Sequence, residues 1–379
     1  MKNKYFKLSP LILLVSSVTA GIIVIQRAKR PPIETKFVQN SGNSNITPPT
    51  VTKNETDNLN EKVVPIKSPG DFVLVENPNH TYQTFNNCGP ATLSMILSFY
   101  GKRVDQKELG DLMRPYQVKS GDNDDKTIFT YEFSEWAKKY GLESSSRVNG
   151  NIELLKTFTS NGFPVVVKTW LHVGEDIGHF RIVRGFDEKD QVIIQDDSYE
   201  GPNKKIKYFD FLSMWQPFNY TYIVVYTPDQ KDLVDAIISA DLDEKTSWEN
   251  TLKRAEEEAN LDPENIYPIF NKVTSYYHLG DYQKSVQSFE SVENKLPKRM
   301  LWYQIEPILA YFELENYDRV FEITEKILSN GNRAFSELYM IRGDIYKKQG
   351  KTNEARAEYE KAVLYNNNLE EAKKALNSV

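Results

Sequence analysis

Asn86-Asn87-Cys88-Gly89-Pro90-Ala91-Thr92-Leu93-Ser94-Met95-Ile96-Leu97-Ser98-Phe99-Tyr100-Gly101 is the stretch from which the rest of the chain can be read. A helix opens near Pro90 and ends at Gly101, with proline at its start and glycine past its end. Its apolar positions are nearly continuous, which predicts a buried helix. Cys88 is the only cysteine. It cannot form an intramolecular disulfide, so the thiol is either packing material or a reagent. A cysteine just ahead of a helix meets unpaired backbone N–H groups and the positive end of the dipole, which favour thiolate over thiol. Gly89 reads as the residue that lets the backbone turn tightly and a substrate carbonyl come close.

Thiolate chemistry needs an imidazole to hold the proton and a third group to orient the ring. Of the four histidines, His179 opens an apolar strand, Gly178-His179-Phe180-Arg181-Ile182-Val183-Arg184-Gly185-Phe186-Asp187, an odd start on packing grounds alone. His80 lies in a polar loop, His172 beyond a strand and His278 inside a helical repeat, places that do not suit the role. Gln195-Asp196-Asp197-Ser198-Tyr199 closes the next strand, and a hairpin would bring a carboxylate of this pair beside His179. Asp196 and Asp197 both remain open on this ground. Gln83, five residues before Cys88, carries an amide that can donate to the oxyanion formed when sulfur attacks a carbonyl, alongside the Cys88 N–H.

The surrounding pattern is mixed. Further helical segments are expected from Tyr131 to Tyr140 and from Ile152 to Ser160, closed by Gly141 and Gly162. Beta segments follow at Pro164 to Trp170, His179 to Phe186, Val192 to Asp196 and Tyr220 to Tyr226, rich in Val, Ile, Phe and Tyr. Helices first and strands afterwards argue an α+β domain with an antiparallel sheet.

Gln83, then CGPATLSMILSFYG from Cys88, GHFRIVRGFD around His179, and VIIQDDSY with Gly201-Pro202 and Phe211 to Trp215 after it, together resemble cysteine peptidase family 39, a papain-like family. The resemblance implies Cys88 as nucleophile, His179 as general base and acid, Gln83 as oxyanion donor and Asp197 as orienting carboxylate. Asp197 is preferred to Asp196 because Ser198 then takes the place of the proline that usually follows the family's aspartate. The best-known members trim double-glycine leaders from bacteriocin precursors; here helical repeats, not a transporter, follow the domain.

After Asp229 charged residues interleave with regularly spaced apolar ones. YYHLGDYQKSVQSFE from Tyr276, YFELENYDRVFEITE from Tyr311 and YKKQGKTNEARAEYE from Tyr346 align at an offset of 35 residues. This resembles the tetratricopeptide repeat, a helix, a turn and a second helix in about 34 residues. Gly280 and Gly350 take the turn, Glu315 departs from it, and Ala355 and Ala362 let helices approach. A weaker first copy is expected over Leu233 to Asn260. Such repeats stack to bury their apolar faces and imply a concave surface for a protein partner.

At the N-terminus Lys2, Lys4 and Lys7 precede an uncharged run from Leu8 to Ile25, closed by Arg27, Lys29 and Arg30. As a helix it would reach roughly 27 Å, close to the hydrocarbon core of a bilayer. We read residues 8–25 as a membrane anchor. The alternative is a secretory signal cleaved after Val18 and Ala20, leaving a secreted protein. Pro31 to about Pro69 is rich in Pro, Asn, Thr, Ser, Lys and Glu and reads as a flexible tether.

The expected organisation is therefore an anchor over 1–30, a linker over 31–70, a papain-like cysteine peptidase domain over 71–228 and an all-α tetratricopeptide-type domain over 229–379, with the main domains outside the cytoplasm. A formal net charge of -6 gives no support for nucleic acid as a partner. Asp122, Asp124 and Asp125 lack the glycine and distal glutamate of a calcium loop, and no metal or organic cofactor is expected. The expected reaction is acyl transfer through a thioester, ending in hydrolysis of a peptide bond. Two other readings use the same residues: a scaffold that binds peptides without cutting them, and a thiol amidase or transpeptidase acting on cell-wall peptides.

Overall fold

The computed structural model describes residues 64–116 and 128–379. The apolar run at 8–25, the tether up to residue 63 and the carboxylates of Asp122, Asp124 and Asp125 lie outside them. Among the described residues no helix is long and apolar enough to cross a membrane.

The first part of the chain builds a seven-stranded sheet from β1 (Phe72–Leu74), β2 (Glu143–Arg147), β3 (Val165–Trp170), β4 (Gly178–Asp187), β5 (Val192–Asp197), β6 (Gly201–Lys207) and β7 (Tyr222–Tyr226). The order is β2-β7-β3-β4-β5-β6, with β1 added along the end of β4, and every pairing is antiparallel. Strand side chains alternate between faces. Val166, Phe180, Ile182, Ile223 and Val225 pack under α1 (Cys88–Phe99), α2 (Gln106–Met113) and α3 (Thr130–Lys138). Val165, Val167, Val183, Tyr222 and Val224 pack under α4 (Ile152–Ser160), α5 (Tyr208–Trp215) and α6 (Lys231–Ile238). Each fully buried aliphatic or aromatic side chain in these layers contributes roughly 1.5–3 kcal/mol. With both faces covered, β3 is buried at all its positions. The α+β class and the antiparallel sheet are those expected.

The second part is helical: α7 (Glu244–Leu261), α8 (Ile266–His278), α9 (Tyr282–Val292), the short α10 (Met300–Tyr303), α11 (Glu306–Glu313), α12 (Tyr317–Ser329), α13 (Ser336–Lys348), α14 (Thr352–Tyr365) and α15 (Glu370–Asn377). The aligned stretches fall on the pairs α8–α9, α11–α12 and α13–α14. Gly280 and Gly350 turn with φ of +80° and +72°, and Glu315 adopts the same left-handed geometry at +57°. The turn is thus kept where the glycine is not. Ala355 and Ala362 are fully buried.

The copy expected over Leu233 to Asn260 is corrected. The helix α6 gives Val234, Ile237 and Ile238 to the core beneath the sheet, beside Leu155 and Phe158 of α4, whereas α7 lies with the helical array, its Trp248 stacked on His278 of α8. The two parts share a core in which Trp170, Phe218 and Phe129 join the helical residues Phe270, Trp302 and Ile308. Trp170 packs edge-on against Phe218 and Tyr303, with ring centres 4.6 and 5.8 Å away.

Candidate active site

Cys88 is the first residue of α1, which begins two residues earlier than the proline suggested. The approach to it is pinned. Asn86 takes a left-handed conformation at φ +60°, and Arg114, at the end of α2, donates to the Asn86 carbonyl at 2.6 Å and also to the Asn87 side chain. Asn87 gives its amide N–H to Thr84 Oγ1 at 2.7 Å and does not cap the helix. The first helical bond runs from Ala91 N–H to the Asn87 carbonyl, so the N–H of Cys88 has no backbone acceptor among the described residues. A helix start left open in this way attracts negative charge. Gly89 is not the tight turn expected: it lies inside the helix, buried, and a Cβ there would stand 2.9 Å from Ile128 Cδ1. Its smallness serves packing.

The helix is tied to β4 by Thr92 Oγ1, which donates to the Phe180 carbonyl at 3.3 Å. That fixes Cys88 beside the start of β4, where His179 is buried. Antiparallel register sets Arg181 opposite Asp197, and the hairpin closes the gap between imidazole and carboxylate. His179 Nε2 lies 3.0 Å from Asp197 Oδ1, which leaves Nδ1 as the ring nitrogen that can exchange a proton with Cys88. The same Asp197 oxygen accepts the N–H groups of Tyr199 at 2.7 Å and Glu200 at 3.0 Å. Asp196 points elsewhere: it takes Arg184 at 2.8 Å and Asn77 at 2.6 Å. The structure thereby resolves which of the two aspartates faces the histidine.

Gln83 is anchored to the loop that follows Asp197. Its N–H donates to the Ser198 carbonyl and its Oε1 accepts the Ser198 hydroxyl, both at 2.8 Å. Its Nε2 has no acceptor among the described residues and remains available as a donor. The other histidines are engaged otherwise: His80 Nε2 meets the Asp197 carbonyl oxygen at 2.9 Å, His172 lies between Glu175 and Glu200, and His278 stacks on Trp248.

Burial pushes the Cys88 thiol up, but the hydrogen bond with His179, the charges of His179 and Lys168, and the Phe180 N–H outweigh it and bring the thiol from 9.0 to about 6. Burial works against the His179 imidazolium, yet Asp197 and Cys88 together hold it above its ordinary value. Burial alone would raise Asp197; His179, Arg181 and the Glu200 N–H hold it well below the usual carboxylate range. Both shifts favour a thiolate beside an imidazolium.

Three neighbours escaped the sequence reading. Arg181 Nε lies 3.2 Å from the other Asp197 oxygen, a buried charge contact whose angle does not make it a hydrogen bond. Lys168 sits on β3 opposite Phe180. Tyr303, from the helical part, lays its ring against Gly178, where a Cβ would be only 2.7 Å from Tyr303 Cε1. The legible signal for the first two was a cation inside an otherwise apolar strand, Val-Val-Val-Lys168 and His-Phe-Arg181-Ile. Tyr303 carried none. Among the described residues no group of His, Cys, Asp and Glu side chains is arranged to hold a metal ion.

Residues 71–223 match the family model described as Peptidase_C39 like. This part of the chain is a C39-like peptidase domain. Residues 336–369 match the model of a tetratricopeptide repeat. Similar solved structures include a C39-like peptidase from Bacillus anthracis, 16% identical, covering 42% of this chain and 98% of that one at a TM-score of 0.35. The peptidase domain of Streptococcus ComA, a bi-functional ABC transporter involved in quorum sensing, is 20% identical over 41% of this chain and 98% of its own, at 0.31. MamA is 15% identical over 35% of this chain and 77% of its own, also at 0.31. No curated protein matches the chain. The C39-like domain thus carries the Cys88, His179 and Asp197 cluster, and helical repeats follow it.

Proposed function

We propose that the C39-like domain is a working cysteine peptidase that hydrolyses peptide bonds with Cys88, His179, Asp197 and Gln83. The observation that carries this is His179, buried, with one ring nitrogen 3.0 Å from Asp197 Oδ1 and the other left for the Cys88 thiol, which the ring helps to bring down to about 6. The Cys88 thiolate attacks the scissile carbonyl carbon. The carbonyl oxygen becomes an oxyanion that the Cys88 N–H and Gln83 Nε2 are free to receive. The His179 imidazolium gives its proton to the leaving amine as the C–N bond breaks, leaving a thioester. Neutral His179 then takes a proton from water, whose oxygen displaces the sulfur and releases the acid. Asp197 holds the ring in the tautomer that presents Nδ1 to sulfur.

Around this site the proposal adds a membrane tether through residues 8–25, main domains outside the cytoplasm, and repeats that bind a protein. The length of the apolar run supports the first, a short basic N-terminus followed at once by that run, as export signals begin, supports the second, and the stacked helical pairs support the third.

The test is covalent labelling of the full chain with a neutral electrophile, in wild type and with His179→Ala, together with peptide cleavage by wild type and Cys88→Ala. Labelling of Cys88 much faster than a free thiol, slowed by His179→Ala, and cleavage abolished by Cys88→Ala are expected. Equal and slow labelling in both proteins would leave a peptide-binding scaffold and end the enzyme reading.

A further inference from the structure

A cavity of about 420 Å³ lies between the sheet domain and the helical repeats, with Lys168, Phe218 and Tyr303 in its lining. The volume is at the low end of the ~300–1,000 Å³ usual for ligand sites, room for a short end of chain rather than a long segment. Lys168 is only 5% exposed, and among the described residues it makes no hydrogen bond and no ion pair with a carboxylate. Its ammonium is held 4.0 Å from the centre of the Phe180 ring and 5.0 Å from that of Tyr303. Phe180 in turn packs on Gly89, the neighbour of Cys88. A buried cation facing an open cavity costs stability unless something anionic meets it.

The neighbouring charges fill that role only in part. The Cys88 thiolate acts on Lys168, but it also faces His179, and Asp197 is taken by His179 and Arg181, so among the described residues no carboxylate meets the Lys168 ammonium. Across the cavity Arg147 donates to the Ser146 carbonyl, Glu244 begins α7, and Glu306 has Oε1 3.5 Å from His278 and a buried Oε2 without a hydrogen-bond partner. None of them is within ion-pair distance of Lys168.

We infer that this cavity is a binding site for a carboxylate of the peptide substrate, received by Lys168. The inference rests on the peptidase reading for the word substrate, and on the cavity alone for the carboxylate. The repeats complete the site, because Tyr303 supplies one of the two rings that position the ammonium. A C-terminal carboxylate seated there places the scissile bond close to the end of the chain; an Asp or Glu side chain would place it inside a longer peptide.

Affinity selection by mass spectrometry tests this with the full chain carrying Cys88→Ala, so that nothing is turned over. Three N-acetylated tripeptide libraries serve as probes: one free of Asp and Glu with a free C-terminus, the same library as carboxamides, and carboxamides containing one Asp or Glu. Retention of a carboxylate library about tenfold above the neutral one is expected, the worth of a charge-assisted hydrogen bond. The preference should persist with Lys168→Arg and vanish with Lys168→Met. Whichever carboxylate library is retained identifies the source. Equal retention of all three, or a preference unchanged in Lys168→Met, overturns the proposal. If Lys168→Met does not fold, the absence of any preference in the Cys88→Ala chain with Lys168 intact overturns it equally. A failure of Cys88 to react with a neutral electrophile would sink the peptidase reading and leave this result standing.

Discussion

Arg181 lies 3.2 Å from the Asp197 oxygen that His179 does not use, and both residues are almost wholly buried. One carboxylate is therefore shared between a cation that titrates and one that does not. Removing the permanent partner leaves a buried charge poorly compensated, so Arg181→Met should cost about 3–5 kcal/mol of unfolding free energy in urea titration. Asp197→Asn strands Arg181 in the same way. The double variant should lose less than the sum of the two singles, because neither charge is then orphaned. Additive losses would mean that the pair is not coupled.

The pH dependence follows from two opposite shifts. Cys88 is brought down to about 6 and His179 is raised, so thiolate and imidazolium coexist above about 6 and up to the raised histidine value. Alkylation of Cys88 by iodoacetamide should rise through about pH 6, well below the range of an ordinary thiol. As the pH falls through that value the thiolate is protonated and the reaction is lost. Replacing His179 by alanine removes both its hydrogen bond and its charge, and the rise should move to higher pH. The Lys168 charge also helps to lower the Cys88 thiol, less than His179 does, so Lys168→Met should move the rise the same way by a smaller amount.

Gln83 separates oxyanion binding from thiol activation. Its Oε1 is taken by Ser198 while Nε2 stays free, so Gln83→Ala should lower kcat by about 10²–10³. The iodoacetamide rate of Cys88 should stay within a factor of about two, since alkylation forms no oxyanion. A parallel fall in both rates would mean that Gln83 acts by holding the loop and not by donating.

Much of the site was legible because it is local or set by register. A cysteine at a helix start is visible in Asn-Asn-Cys-Gly-Pro, and a hairpin of apolar strands brings Asp197 to His179 whatever surrounds it. The choice between Asp196 and Asp197 depended on a bulge-containing pairing, irregular between Val183 and Gly185, which alternation alone does not specify. Both faces of β3 are covered, so Val-Val-Val-Lys-Thr-Trp shows no period of 2 that would mark Lys168 as inward. Tyr303 lies in the sequence far from Gly178 and meets it only through packing of the two parts. For the same reason α6 looked like the start of a repeat: its apolar face has helical spacing, and nothing in that spacing says whether a sheet or another helix covers it.

Glu315 tests how much strain the repeat turn carries. It is exposed and left-handed at φ +57°, where the equivalent positions hold glycine. A residue with a Cβ pays roughly 1–2 kcal/mol for that conformation. Glu315→Gly should therefore stabilise the protein by about 1 kcal/mol, the larger freedom of glycine in the unfolded chain offsetting part of the gain. Urea denaturation followed by far-UV circular dichroism measures it, and a loss of stability would mean that the Glu315 side chain contributes more than its backbone costs.

Gly178 and Tyr303 make the dependence of the peptidase site on the repeats measurable. Adding a Cβ at 178 would set it 2.7 Å from the Tyr303 ring, which also packs against Trp170 and Phe218. The ring must shift or the start of β4 must, and β4 carries His179 at the next position. Gly178→Ala should therefore lower kcat/KM by about tenfold or more, the scale expected when a reacting group is displaced by a fraction of an ångström. It should also slow Cys88 alkylation, because the imidazole moves with the strand. Trimming the obstacle relieves the clash, so Gly178→Ala with Tyr303→Ala should recover the alkylation rate relative to Gly178→Ala alone. Recovery of alkylation without recovery of kcat/KM would separate the two contributions of Tyr303: its pressure on the strand, and its place in the cavity wall beside Lys168. No recovery of either would mean that Gly178 is required by the sheet itself and that the repeats do not bear on His179.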